Sequence, residues 1–199
     1  MANRAYKFRI YPNDEQKTLF AKTFGCVRMV YNYWLDRKIR QYEENKTNVT
    51  YTVCAKEMAA MKKMDEYAFL KEIDSVSLQQ SLRHLDMAFQ NFFRQPKAGF
   101  PKFKSKKRNK NSYSTVCING NITIGNGYLK LPKVGQVRLK QHRVIPISIP
   151  DSRRFSGRKG LKSCFKINAC WIREVSAVCA YGLHRSAIHV IVQPVHGFA

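Results

Sequence analysis

The sequence predicts an α+β protein: a helical bundle inserted into a small antiparallel β-barrel, followed by an atypical carboxy-terminal tail. Apolar residues alternate at period two before residue 12, recur at steps of three and four through residues 13–95, and return to short alternating runs over residues 113–146. A first strand with no adjacent partner is paired most economically with those later runs, which makes the helices an insertion. The expected division is a first barrel strand at 1–12, a helical domain at 13–95, a basic loop at 96–112, the remaining barrel strands at 113–146 and the tail at 147–199.

Tyr6, Phe8 and Ile10 alternate with Lys7, Arg9 and Tyr11, the pattern of a strand with one buried face, and Pro12 ends it. Asn13 with Gln16 three residues on, and Asp14 and Glu15 between them, is a helix-start signature that complements the positive end of the helix. Phe20, Phe24, Val27, Tyr31 and Trp34 then form one stripe of a long helix reaching to about Tyr42. Rings in such a row could stack on bases, but strict helical spacing assigns them to a core. Asn45, Thr47 and Asn48 interrupt, and a second helix begins near Thr52 with Met58 and Met61 facing inward. A short helix over residues 67–72 follows. Leu78, Leu82, Leu85, Phe89 and Phe92 mark the next long helix, which ends near Arg94 and is stopped by Pro96.

Composition changes at Gly99-Phe100-Pro101-Lys102-Phe103-Lys104, which leads into Ser105-Lys106-Lys107-Arg108-Asn109-Lys110. So charged a segment reads as a loop that contacts phosphates, with Phe100 and Phe103 either anchoring it or stacking on bases. Strand-like runs at 113–118, 121–124, 128–131 and 134–140 are separated by Asn119-Gly120, Gly125-Asn126-Gly127 and Pro132, a meander of hairpins. In the last run Val137 and Leu139 enter a core while Arg138 and Lys140 face out. In the tail, residues 187–192 look like a strand without its proper sheet partners, expected to pack poorly or aggregate.

Charge narrows the function. The chain carries 36 Lys and Arg against 13 Asp and Glu, a formal net charge of +23, and no carboxylate stands between Asp86 and Asp151. Charge placed for solubility is mixed in sign, whereas a long stretch of one sign is the footprint of a polyanion partner. A membrane-surface protein needs a basic amphipathic helix or a lipid signal, and neither is written here. No apolar run approaches the roughly 20 residues of a membrane span, and the first ten residues lack the apolar core of a signal peptide, so a cytoplasmic protein with nucleic-acid partners is expected. With 44% apolar residues the chain is not a disordered basic tail. Cys26, Cys54, Cys117, Cys164, Cys170 and Cys179 form no Cys-x-x-Cys pair and read as free thiols. Cys179, His184 and His189 match no common metal-site spacing, so no metal or other cofactor is expected.

An ordered set of segments resembles the TnpB family, transposon-encoded RNA-guided endonucleases of the IS200/IS605 OrfB type. These are Tyr11-Pro12-Asn13, Gly25-Cys26-Val27-Arg28 with Tyr31-Asn32, Leu78-Gln79-Gln80-Ser81-Leu82, Asn91-Phe92-Phe93-Arg94, Gly99-Phe100-Pro101-Lys102-Phe103-Lys104 and Leu129-Lys130-Leu131-Pro132-Lys133. The resemblance runs to about Pro146, roughly three quarters of the chain. It implies a wedge-type barrel interrupted by a helical recognition domain, a guide RNA, and a short DNA motif read beside the target. By position Tyr51, Ser75 and Gln79 match family sites that contact that motif, with Ser75 standing where a relative uses lysine. Phosphate contact is expected of Lys102, Lys104, Lys106, Lys107, Arg108, Lys110, Lys130, Arg138 and Lys140.

Catalysis is where the chain departs from the family. The family's nuclease of the RuvC type holds divalent metal on carboxylates, the first in a Gly-x-Asp-x-Gly context, and no such sequence occurs here. Beyond Pro146 only Asp151 and Glu174 remain, and the family's late Cys-x-x-Cys zinc element is missing. Mg2+ and Zn2+ are therefore expected only of full-length members. The resulting expectation is a non-enzymatic, truncated amino-terminal part that binds guide RNA and target or transposon-end DNA, its last fifty or so residues arising by frameshift or rearrangement. The alternatives are an RNA-guided DNA endonuclease completed by missing nuclease residues, or a DNA-binding transposition accessory or repressor.

Overall fold

The computed structural model of the protein describes residues 4–95, 97–107, 111–140, 164–170, 174–181 and 190–191. In chain order these form β1 (Arg4–Tyr11), α1 (Asp14–Asn45), α2 (Tyr51–Met61), a 3-10 helix (Asp65–Lys71), α3 (Ser75–Arg94), β2 (Asn111–Val116), β3 (Thr123–Gly125), β4 (Tyr128–Leu131), β5 (Gly135–Lys140), β6 (Cys164–Cys170), β7 (Glu174–Tyr181) and β8 (Val190–Ile191). The class is α+β. Two compact units divide the chain, residues 1–21 with 110–199, and residues 22–109. No described helix is long and apolar enough to cross a membrane.

The first unit is a sheet ordered β2-β6-β7-β1-β5-β4-β3, antiparallel along this path, with β8 parallel to β6. β1 pairs with β5 at Arg9 and Lys140, Ile10 and Leu139, and Tyr11 and Arg138, so the first strand does return to the later hairpins. Period-two alternation holds: Phe8, Ile10, Leu129, Leu131, Val137 and Leu139 are buried, and Lys130, Arg138 and Lys140 are exposed. Asn126 and Gly127, at φ of 50° and 76°, make the two-residue hairpin between β3 and β4 that Asn-Gly favours.

The pairing path ends at β2 and β3, and no described pairing joins them. Yet they are consecutive in sequence. From Val116 to Thr123 is seven residues, a reach of at most about 25 Å. Six strand spacings of about 4.8 Å would put the ends of a flat sheet about 29 Å apart. The sheet therefore curls, bringing its two ends toward each other.

Asn13 and Gln16 form the expected capping box. The Asn13 Oδ1 accepts from the Gln16 amide at 2.8 Å, and Gln16 Oε1 accepts from the Asn13 amide at 3.1 Å. Such a cap contributes about 1 kcal/mol. Gln16 does more, because its Nε2 donates to the Gln136 carbonyl at 2.7 Å and so fixes the start of α1 to β5. Phe20, 2% exposed, then lies against the Tyr113 ring at 6.3 Å.

The tail corrects one expectation. Val190 is a bridge partner of Phe165, so the described part of residues 187–192 does have a sheet partner. Strands β6 and β7 stand between β2 and β1, with β7 paired to β1 from Arg4 and Tyr181 to Ile10 and Val175. Backbone pairing thus incorporates strands from a region whose sequence bears little resemblance to the family.

In the second unit Phe24, Val27, Tyr31 and Trp34 are buried, as the stripe requires, along with Met58 and Met61 of α2 and Leu78, Leu82 and Leu85 of α3. Each such side chain contributes roughly 1.5–3 kcal/mol through burial. Asp74 caps α3, its Oδ1 accepting from the Val76 amide at 3.1 Å. Buried Ser81 is small enough to let α3 approach α1 closely, and its hydroxyl donates to the Val27 carbonyl at 2.8 Å.

Candidate nucleic-acid interface

The basic loop is pinned to the helices. The Asn32 carboxamide faces the Lys104 backbone as a strand neighbour would: its Nδ2 donates to the Lys104 carbonyl at 2.8 Å, and its Oδ1 accepts from the Lys104 amide at 2.8 Å. The Lys104 ammonium lies 3.8 Å from the centroid of the buried Tyr31 ring, a cation–π contact. Upstream, Phe100 meets Phe89 and Phe92 of α3 edge-on at 5.6 and 5.4 Å, and Pro101 is buried. These contacts hold the loop to both α1 and α3.

What the anchors leave outside is cationic. Lys102, Lys106 and Lys107 are exposed, and Phe103 is 54% exposed between Lys102 and Lys104. The two loop rings differ in what they touch: Phe100, 46% exposed, meets the α3 rings edge-on, and Phe103 stands among the charges. Arg108 and Lys110 lie outside the described residues.

A second cationic group is on the sheet. β5 presents Arg138 and Lys140 on the face opposite its buried Val137 and Leu139, and β4 presents Lys130 beside Gln136 of β5. The sheet and loop cations belong to different units.

The residues matched to motif reading meet on α2 and α3. Ser75 and Gln79 are exposed and one turn apart on α3, with Arg83 one turn further, so the three share a face about 12 Å long. Lys62 donates to the Ser75 hydroxyl at 2.8 Å. Tyr51, half-buried at the first position of α2, accepts from Arg83 Nε at 3.4 Å, and the guanidinium lies 5.7 Å from its ring centroid. Tyr51 is thus joined to the α3 face through Arg83, a residue missed in the sequence although its i+4 spacing from Gln79 marks it. Asn32 was equally hidden, since its role depends on a partner 72 positions away.

Neighbouring charges serve structure. Arg37 pairs with Glu57 at 2.6 Å and lies over the Trp34 ring at 5.2 Å. Lys38, whose side chain is only 7% exposed, is 3.8 Å from Asp86 and 5.2 Å from the Phe89 centroid. Burial pushes the thiols of Cys26 and Cys54 above their ordinary range, the mark of inert core cysteines.

Residues 1–47 match the OrfB/IS605 family described as a helix-turn-helix domain. A Streptomyces pristinaespiralis protein with RNA-guided DNA endonuclease in its name is 41% identical over 133 residues, 67% of this chain and 32% of that protein. The Escherichia coli K12 protein InsQ, also named for RNA-guided DNA endonuclease activity, is 32% identical over 142 residues, 71% of this chain and 35% of its own length. The virulence protein VsdF of Salmonella dublin is 40% identical over 111 residues, 52% of this chain and 93% of VsdF.

The chain belongs to the TnpB family. It spans about a third of the length of the two endonuclease-named relatives. The described part of the stretch matched as helix-turn-helix is folded as β1 and the continuous α1, whose aromatic stripe is buried.

Proposed function

We propose that this chain is a nucleic-acid-binding part of a TnpB-type protein, which holds guide RNA and target DNA by their backbones and carries no nuclease centre of its own. The observation that supports it best is the loop clamped by Asn32, Tyr31 and Phe100, because an ordered arm offers its cations to phosphates without first losing conformational freedom. Lys102, Lys104, Lys106, Lys107, Arg108, Lys110, Lys130, Arg138 and Lys140 would contact phosphate. Tyr51, Ser75 and Gln79, with Arg83 added, would face the edges of a short DNA motif, their 12 Å row comparable to the width of a major groove, about 12 Å. The curled sheet would close as the wedge-type barrel, in a cytoplasmic protein.

A metal nuclease needs several convergent carboxylates. Among the described residues no group of three His, Cys, Asp or Glu is placed to hold an ion, and the sequence past Pro146 offers only Asp151 and Glu174. So sparse a supply of carboxylates past Pro146 supports a binding role for this chain.

Sequencing the RNA that copurifies with the chain tests the proposal. A single enriched structured transcript is expected. A random sample of cellular RNA would reduce the protein to a generic polycation.

A further inference from the structure

We infer that the outer face of β1, β5 and β4 is a stacking platform for an unpaired nucleic-acid strand, built on the rung Tyr11, Arg138 and Tyr128. Register places Arg138 directly opposite Tyr11 of β1 on one side and Tyr128 of β4 on the other. All three share the face opposite the buried Ile10, Val137 and Leu129. Tyr11 is 39% and Tyr128 47% exposed, so two rings stand toward solvent on either side of a guanidinium.

Charge complementarity selects the occupant. Lys140 is one rung away opposite Arg9, Lys130 is one rung away beside Gln136, and β1, β4 and β5 contain no carboxylate. Exposed rings interleaved with cations bind bases by their faces and phosphates by charge. A duplex keeps its base faces stacked internally, so only a strand with unpaired bases can use both features. This inference rests on the proposed nucleic-acid function but assigns residues and a strand state that function does not.

The test measures binding of the full chain to an oligouridylate of about 12 nucleotides and to a blunt RNA duplex of matched charge, with Tyr11→Ala, Tyr128→Ala and Tyr128→Phe. Each alanine variant is expected to weaken single-strand binding about tenfold and duplex binding by less than about twofold, while Tyr128→Phe, which keeps the ring, stays near the parent. Unchanged single-strand affinity in both alanine variants, or equal losses on both probes, would overturn the platform while leaving backbone binding intact. A parent chain that binds neither probe would overturn the proposed function as well.

Discussion

Replacing Lys102, Lys106 and Lys107 together by glutamine is expected to lower duplex DNA affinity about 500-fold at 0.1 M salt. The estimate follows from counterion release: affinity varies with salt to the power of about −0.9 per neutralised phosphate, so three lost contacts remove a factor of about 10 to the 2.7 at tenfold below molar salt. The three side chains are exposed, so the fold should survive unchanged. Affinity measured by fluorescence anisotropy, beside a thermal melt, separates the two effects. A loss of less than tenfold would mean that the loop is a solvated linker and that binding resides elsewhere.

Asn32→Ala should disable the same loop without touching a single charge. The substitution removes both hydrogen bonds to the Lys104 backbone, leaving a part-buried amide and carbonyl without that partner, at a cost on the order of 2 kcal/mol. Local opening should rise correspondingly, seen as roughly thirtyfold faster hydrogen exchange at the Lys104 amide. Nucleic-acid affinity should fall by a similar factor where binding requires the ordered loop. Faster exchange with undiminished affinity would show that order at Lys104 is irrelevant to binding.

Features written within a few residues were legible in the sequence, and features that join distant segments were not. Asn13 and Gln16 announce a cap because both partners lie within one helical turn. The stripe from Phe20 to Trp34, the strand over residues 128–131 and the alternation at Val137 and Leu139 were legible for the same reason, since burial follows a local period. Gln16 reaching Gln136, Ser81 reaching Val27 and Asn32 holding Lys104 have no local signature. A polar residue on an amphipathic helix is read as surface unless its distant partner is known. Strands β6 and β7 escaped because pairing requires only an extended backbone with a register, whereas the resemblance depends on side-chain identity.

The candidate site divided along the same line. Charge count located the cations but could not distinguish Lys104, engaged with Tyr31, from the exposed Lys102, Lys106 and Lys107. Nor could it decide between the two roles open to Phe100 and Phe103. Tertiary contact separates them in part: Phe100, still 46% exposed, meets two rings of α3, whereas Phe103 stands 54% exposed among the charges.

The most direct measurement is the affinity of the unmodified chain for duplex DNA across a salt series from about 0.05 to 0.3 M. About six phosphate contacts from a localised basic surface predict a log–log slope near −5. A flat response would contradict the electrostatic account at its root.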